Sequence, residues 1–262
     1  MRAPVTVRSG RDIAALVHEI GFLPFYSTPV PGFSLRDLTD PAIWISNDQS
    51  VNPWYYRQDV ALDDRIVYGK LFDGKMGFVD IDLFPDFVRV RRDGRDPREM
   101  LEAGFLKPVD LAVLDAIPHG ESRTEPLIKE DLIVEPKGIP AALARLQTAT
   151  FLYTASFEYK LTRGGRPYGW PLAAYMRPEE ELGRERVFPR SERTYEAARA
   201  ALLERVLAVV PDALERSPDG VRRLIEFAMG PKAKTTKRAA KTARTTRKGK
   251  AEKTAPSSTG RK

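Results

Sequence analysis

The residues best suited to chemistry in this sequence are aromatic side chains that stand next to cations. Three aromatic residues at positions 54–56 precede Arg57, and Tyr68 stands two positions before Lys70. Aromatic rings stack on nucleobases and cations attract phosphate, so this set could form a stacking pocket for a base extruded from a duplex. The candidate pocket residues are Trp54, Arg57, Tyr68 and Lys70. The alternative interpretation is that the rings, Trp54 above all, are ordinary core residues.

Two basic clusters are candidates for contacts with phosphate. Their residues are Arg91 and Arg92 in the first, and Lys160, Arg163 and Arg166 in the second. The first cluster precedes an Asp-Gly turn and forms either a phosphate clamp or a surface salt-bridge cluster. The second surrounds a Gly-Gly pair at the tip of a predicted hairpin. A basic tip can lie along a phosphate backbone or in a minor groove, and the alternative is a solvated turn.

Hydrolysis of a glycosidic bond requires a carboxylate or an amide that positions water and stabilises an oxocarbenium-like centre. Asp80, Asp82 and Gln147 are available, and their spacing singles out none of them. Neither His18 nor His119 has an evident catalytic partner. The absence of cysteine excludes disulfides, thiolate catalysis and cysteine-ligated metals. Two histidines are too few for a histidine-rich metal site, so we expect neither a metal nor another cofactor.

Residues 138–176 must position the basic hairpin tip. A predicted helix over 138–150 leads into two runs, 151–161 and 168–176, in which apolar residues recur at every second position. Period-two runs joined by a glycine turn are typical of a β-hairpin. Pro171 predicts that the return strand is an edge strand.

Two further helices are predicted between residues 109 and 132, ahead of that helix. Three short helices followed by a two-stranded hairpin indicate a winged helix-turn-helix unit, which we place at residues 107–178. The third helix is expected to expose Ala141, Arg145 and Thr148. Direct reading of base edges requires polar side chains, so Arg145 is the candidate DNA contact on this helix.

The regions on either side complete four predicted segments. Residues 1–106 form an N-terminal aromatic and basic α+β region, with a hairpin over 65–80. Residues 179–230 form a C-terminal helical segment that begins with a charged linker over 180–190. The fourth segment is the tail, residues 231–262. Helix caps are predicted at Ser9, Ser34, Asp40, Asn52 and Asp96.

The tail carries the excess positive charge of the chain. Residues 231–262 contain twelve Lys/Arg and one Glu, whereas the other 230 residues contain 31 Lys/Arg and 35 Asp/Glu. The tail lacks Leu, Ile, Val and aromatic residues, which predicts disorder. A flexible polycation binds the nucleic-acid backbone without sequence specificity by releasing counterions. The candidate contacts are Lys237, Arg238, Lys241, Arg244, Arg247 and Lys248. The alternatives are a solubilising extension and an anionic membrane surface.

Several segments of the sequence resemble a known family. They are DPAIW, NPWYYR, IVYGKLFDGKMGFV, LFPDFVRVRRDG, LARLQTATFL and GRPYGWPLAAYMRPEE, spread over residues 19–182. They resemble the AlkZ-related proteins, relatives of the AlkZ/YcaQ winged-helix DNA glycosylases. The resemblance implies winged-helix units that bind DNA and metal-independent excision of damaged, alkylated or crosslinked bases. The glycosylases carry a Gln-x-Gln or Gln-x-Asp motif, and the similar string here begins with Gln147 and has Ala at its third position.

These observations predict an α+β fold with winged helix-turn-helix units, short helices, two-stranded hairpins and a disordered basic tail. The leading hypothesis for function is a DNA-binding protein associated with repair of double-stranded DNA. If it is an enzyme, it would be a monofunctional DNA N-glycosylase, a hydrolase. The alternative is a non-enzymatic nucleoid-associated or protein-interaction module. No apolar run has the length of a membrane span and no secretory segment is present, so we expect a cytoplasmic, nucleoid-associated protein.

Overall fold

Short helices with explicit caps dominate the N-terminal half. The computed structural model describes residues 5–48, 50–132, 138–188 and 193–227. In order, the first helical elements are α1 (Gly10–Ile20), α2 (Leu35–Leu38), a 3₁₀ turn (Pro41–Trp44) and α3 (Pro53–Ala61). The side chains of Ser9, Ser34, Asp40 and Asn52 each accept a backbone N–H at the start of one of them. The predicted caps are therefore confirmed, and local sequence is sufficient to begin these helices.

An antiparallel sheet packs against these helices. Its strands are β1 (Phe22–Pro24), β2 (Ile66–Phe72) and β3 (Lys75–Asp80), in the order β1-β3-β2. The predicted hairpin of β2 and β3 is confirmed, with Asp73 in the left-handed region (φ 52°) at its turn. The third strand, β1, lies in an apolar stretch that is rich in Pro. It pairs with β3, more than fifty residues away, so no local pattern marks it.

Two helices follow the first sheet. α4 (Phe84–Arg92) ends at Asp93, which adopts φ 50°, and α5 (Pro97–Glu102) begins at Asp96 with a complete capping box. The cap at Asp96 was predicted and is confirmed. The basic cluster of the sequence thus lies in the last turn of α4, on a helix whose inward residues include Phe84 and Phe87.

The central elements have the predicted order with one addition. They are α6 (Pro108–Asp115), β4 (Arg123–Thr124), α7 (Glu125–Asp131), α8 (Gly138–Thr148), β5 (Tyr153–Leu161) and β6 (Pro167–Met176). The sheet order is β4-β6-β5, so β6 is the middle strand and the prediction of an edge strand was wrong. β4 pairs only with Ala174 and Tyr175, so it does not reach Pro171. This is why the proline is tolerated there.

The hairpin of β5 and β6 is only half covered by the rest of the protein. Residues 153–157 and 171–176 are buried or half-buried, whereas every residue from 158 to 170 is exposed. Register shifts at Thr154/Ser156 and Glu158/Lys160 interrupt the strict alternation that the sequence predicted. Such irregularities bend a strand and increase its twist. The outer half of the hairpin therefore projects into solvent.

The segment after the hairpin is helical rather than an extended linker. It contains a π-type turn (Glu179–Gly183), α9 (Arg184–Val187), α10 (Tyr195–Val209), α11 (Ala213–Arg216) and α12 (Pro218–Ile225). The prediction of a charged linker over 180–190 was wrong for residues 180–188. Val187 is buried against the core, and this contact outweighs the charged local sequence. Residues 189–192 and the basic tail lie outside the described residues.

Two hydrophobic clusters form the core of the described residues. The larger joins α1, the first sheet, α4, α10 and α12, and the smaller joins α5 to α8 with Phe151 and Leu152 at the start of the hairpin. The larger cluster also includes Tyr153 and Met176 of the hairpin, and the smaller includes Met100 and Phe227. The predicted division at residue 106 remains a prediction. No helix among the described residues is long and apolar enough to cross a membrane.

Candidate functional site

The aromatic and cationic residues near Trp54 do come together. The Arg57 guanidinium lies 3.5 Å from the centre of the Trp54 ring and also donates to the Trp54 carbonyl. Tyr68 lies next to Arg57, and burial raises the pKa of Tyr68 to about 12. Arg57 and Tyr68 are both buried. The stacking position on Trp54 is thus occupied by Arg57, so this group is a packed cluster rather than an open base pocket.

The aromatic cluster supports the hairpin. Trp170 on β6 lies edge-on to Trp54, with ring centres 6.5 Å apart, and Tyr159 on β5 donates to the Gln58 side chain at 2.9 Å. Helix α3 therefore contacts the hairpin where it leaves the body. Beyond these contacts, Lys160, Arg163 and Arg166 are exposed at the tip. Among the described residues, no carboxylate pairs with these three cations.

The side chain of Gln147 is hydrogen-bonded to the backbone of Lys70. The Gln147 Oε1 atom accepts the Lys70 amide N–H at 3.0 Å, and Nε2 donates to the Leu143 carbonyl at 3.0 Å. Gln147 is 1% exposed. It joins α8 to β2 and does not face solvent, so the geometry offers it no access to a substrate. Lys70 takes part through its backbone and is half-buried.

Arg91 was expected near phosphate, and its burial contradicts a surface position. Its guanidinium donates to the carbonyls of Thr148, Leu224 and Ile225 at 2.9–3.1 Å. These carbonyls end α8 and α12, where helix dipoles are negative and attract a cation. Burial lowers the pKa of Arg91 to about 9. Arg91 connects two helix ends, which explains why a basic residue is 3% exposed.

Arg92 is also buried, at the junction between α8 and β5. It donates to the side chain and the carbonyl of Thr150 and forms an ion pair with Glu179. Burial lowers the pKa of Arg92, and Glu179 opposes that effect. Thr150 adopts φ 66°, a left-handed conformation that β-branched residues rarely adopt. The two hydrogen bonds from Arg92 hold this strained residue in place.

The third helix of the central unit, α8, does not expose the residues predicted to read DNA. Arg145 is 7% exposed and binds Asp110 with distances of 2.5–3.1 Å, and Thr148 is buried under β2. Only Pro140 and Ala141 of this helix are exposed. The prediction that Arg145 and Thr148 face outward was wrong, because Arg145 packs against Asp110 of α6 and Thr148 packs against Lys70 of β2.

A cavity of about 760 Å³ lies at the base of the hairpin, opposite its tip. It opens to solvent and is lined by α4, α5, α6, α9 and the loops beside them, and we call it the arginine-lined cavity. Its ionisable lining residues are Arg89, Arg92, Arg95, Arg98, Arg177, Arg184, His119, Asp96, Asp115, Glu179 and Glu180. Its apolar lining includes Phe151 and Phe188. The Arg92 guanidinium lies 4.2 Å from the Phe151 ring centre.

Of the residues that line this cavity, only Arg92 was among the predicted site residues. The lining residues come from four separate parts of the chain, 88–98, 111–119, 151 and 177–188. One feature of the sequence did point to it, because Arg95 and Arg98 continue the run of arginines from α4 into α5. Arg184 and Phe188 lie in the segment that the sequence indicated to be a linker, so their convergence had no local signature.

Both histidines have carboxylate partners, contrary to the expectation from sequence. His18 Nδ1 lies 2.5 Å from Asp80 Oδ2, and His119 hydrogen-bonds Glu180 at the rim of the arginine-lined cavity. Asp82 instead pairs with Arg65 at 2.7 Å on the surface. These pairs join residues about sixty positions apart or connect loops, so spacing alone could not predict them.

The described residues define a mixed α+β protein with two antiparallel sheets, a projecting basic hairpin and an arginine-lined cavity. Residues 7–222 match the family model described as AlkZ related, and the chain belongs to this AlkZ-related family. The resemblance found in the sequence is therefore confirmed. A search among curated proteins finds no match.

A solved structure is also similar to this chain. It is a DNA glycosylase, AlkZ, from Streptomyces sahachiroi, with 13% sequence identity and a TM-score of 0.41. The similarity covers 87% of this chain and 58% of the Streptomyces chain. The chain thus spans less than two thirds of that protein.

Proposed function

We propose that this protein binds double-stranded DNA in a process of DNA repair and that its projecting hairpin makes the principal contact. Membership of the AlkZ-related family supports the connection with DNA glycosylases. The observation that carries the proposal is the exposed half of the hairpin, residues 158–170. There Lys160, Arg163 and Arg166 are flanked by the exposed aromatic residues Tyr159, Tyr168 and Trp170, a combination suited to phosphate and groove contacts.

The order of elements supports a winged helix-turn-helix unit at residues 107–178. Three helices, α6 to α8, are followed by the hairpin, and β4 between the first two helices completes the sheet. In many such units the last helix enters the major groove. Here α8 is covered by α6 and by the first sheet, so the wing rather than the helix is the DNA-contacting element in our proposal.

The proposal concerns binding and leaves Gln147 out of any chemistry. Gln147 is buried and both ends of its side-chain amide are hydrogen-bonded within the protein. The buried residues Arg91, Arg92 and Arg145 are likewise no longer candidates for DNA contacts. We further propose that the six tail cations named above add affinity without sequence specificity.

The test of the hairpin is the double variant Arg163→Ala/Arg166→Ala. Both side chains are exposed, so the fold should be unaffected while two phosphate contacts are lost. We expect weaker binding to a duplex oligonucleotide and a slope of log affinity against log salt that is smaller by about 2. Fluorescence anisotropy at several salt concentrations measures both quantities.

The matched control is Arg216→Ala/Arg222→Ala, which removes two exposed arginines from α11 and α12. A Trp170→Ala variant separately tests the exposed ring. If the hairpin variant and the control weaken binding equally, the protein binds through its general charge and the hairpin has no special role.

A further inference from the structure

The arginine-lined cavity has the dimensions and lining of a small-ligand site. Its volume of about 760 Å³ falls within the usual range for such sites. We propose that it binds a nucleoside monophosphate, either as a free nucleotide or as the 5′-phosphorylated end of a strand. This site is separate from the hairpin tip of the proposed function, because none of the tip cations lines the cavity.

The charge of the cavity favours an anion. Six arginines face four carboxylates, and most of the carboxylates already have partners. Glu179 pairs with Arg92, Glu180 accepts from His119 and the Gly120 amide, and the Asp96 carboxylate caps α5. Three of the four carboxylates are therefore engaged within the protein, and six arginines against four carboxylates leave positive charge in excess.

Two arginines at the rim are available for a ligand. Arg98 is the second residue of α5, Arg184 is the first residue of α9, and both are exposed. Within the described parts of the chain, neither forms an ion pair with a carboxylate. A guanidinium group binds phosphate through paired N–H donors, so these two are the phosphate-binding residues of the proposal.

The apolar wall of the cavity favours a flat ring beside the phosphate. Phe151 and Phe188 both line it. Guanidinium groups already lie against these rings, so the stacking surface left for a nucleobase is the guanidinium plane of the exposed Arg184. Arg92 lies 5.5 Å and Arg184 5.6 Å from the Phe188 ring centre. Nucleobases stack on aromatic rings and on guanidinium planes. A phosphate joined to a base therefore matches the two kinds of surface better than inorganic phosphate does.

The test is calorimetric titration of the full chain with deoxyadenosine 5′-monophosphate, with inorganic phosphate and deoxyadenosine as separate probes. We expect the nucleotide to bind more tightly than either probe. Arg98→Ala/Arg184→Ala should weaken nucleotide binding at least tenfold without changing the thermal midpoint. Arg163→Ala/Arg166→Ala, which removes the same charge from the hairpin tip, should leave nucleotide binding unchanged.

Oligonucleotides with and without a 5′-phosphate identify the source of the ligand. Tighter binding of the phosphorylated strand, lost in the cavity variant, assigns the site to strand ends, and equal binding of the two assigns it to the free nucleotide. The proposal is overturned if the nucleotide gives no saturable signal, or if the two double variants lose the same affinity. A failure of the hairpin experiment on duplex DNA would leave this result unaffected.

Discussion

Several arginines of this chain are buried, so a basic residue in the sequence does not by itself indicate a position on the protein surface. Arg91 satisfies the carbonyls of two helix ends, Arg92 holds the strained Thr150, and Arg145 neutralises Asp110, which is fully buried. A buried cation of this kind requires partners from distant parts of the chain. Its sequence neighbours therefore do not reveal whether it faces water or protein.

Removal of one partner of the Arg145–Asp110 pair should be strongly destabilising. Arg145→Leu leaves a carboxylate without its cation in the core, which we expect to lower the free energy of unfolding by about 3–5 kcal/mol. Asp110→Asn/Arg145→Leu should cost less than the single change because no uncompensated charge remains. Urea denaturation measures both, with Arg163→Leu at the exposed tip as the control. Equal losses in the single and double variants would show that the carboxylate is not what destabilises the single variant.

At the scale of elements, α8 and β2 are joined through side chains rather than through the sheet. Gln147 accepts the Lys70 amide, and Thr148 donates to the Lys70 carbonyl at 2.9 Å. Gly69 permits this approach, because a Cβ atom there would lie 2.7 Å from Gln147 Oε1. The N-terminal sheet and the central helices thus form a tight contact at a single glycine.

Gln147→Leu should reduce stability, because it leaves the Lys70 amide without its acceptor. The expected loss is about 1–3 kcal/mol in the free energy of unfolding. Gly69→Ala should also destabilise the protein, but less so in a Gln147→Ala background, where the clashing oxygen is absent. Chemical denaturation of the wild type, Gly69→Ala, Gln147→Ala and the double variant provides the cycle, and Gln147→Leu is measured beside them. Unchanged stability in Gln147→Leu would contradict the structural role and return this residue to consideration as a functional group.

The elements differ in how far the sequence determines them. Caps such as Ser9 and Asp96 lie within one helical turn of the groups they bind, so the helix starts were predictable. Strands β1 and β4 are short and exist only through pairing with distant strands, so the sequence did not mark them. The arginine-lined cavity was likewise not predictable, because its lining residues come from distant parts of the chain. The hairpin tip was predictable, because its glycine turn and its cations are close together in the sequence.

At the scale of the whole molecule, charge is divided unequally along the chain. The 230 residues before the tail carry 31 Lys/Arg against 35 Asp/Glu, whereas the tail carries twelve cations and one Glu. A mildly acidic body attracts DNA only where cations are concentrated, as they are on the exposed hairpin. In the proposed function the tail therefore increases the affinity for DNA, and the hairpin determines where the protein contacts the duplex.

Deletion of residues 231–262 should weaken duplex binding at least about tenfold at 0.1 M salt. Each released phosphate counterion contributes about 0.9 to the slope of log affinity against log salt, so the slope should fall by several units. A variant with Gln at the six tail positions named above keeps the length and serves as the control. It removes six of the twelve tail cations, so the slope should fall by about half as much as in the deletion. An unchanged slope in both proteins would rule out the tail as a DNA contact.

The exposed half of the hairpin determines how far its tip extends from the rest of the protein. Four residues of each strand, at about 3.3 Å per residue, extend roughly 13 Å beyond the half-buried part. The grooves of B-form DNA are only about 7.5–8.5 Å deep. On the proposed function, the tip can touch the floor of a groove while Trp170, at the root of the exposed half, remains near the phosphate ridge. The body would then stay clear of the duplex, and lengthening or shortening the hairpin by two residues per strand would change the depth of contact without changing its chemistry.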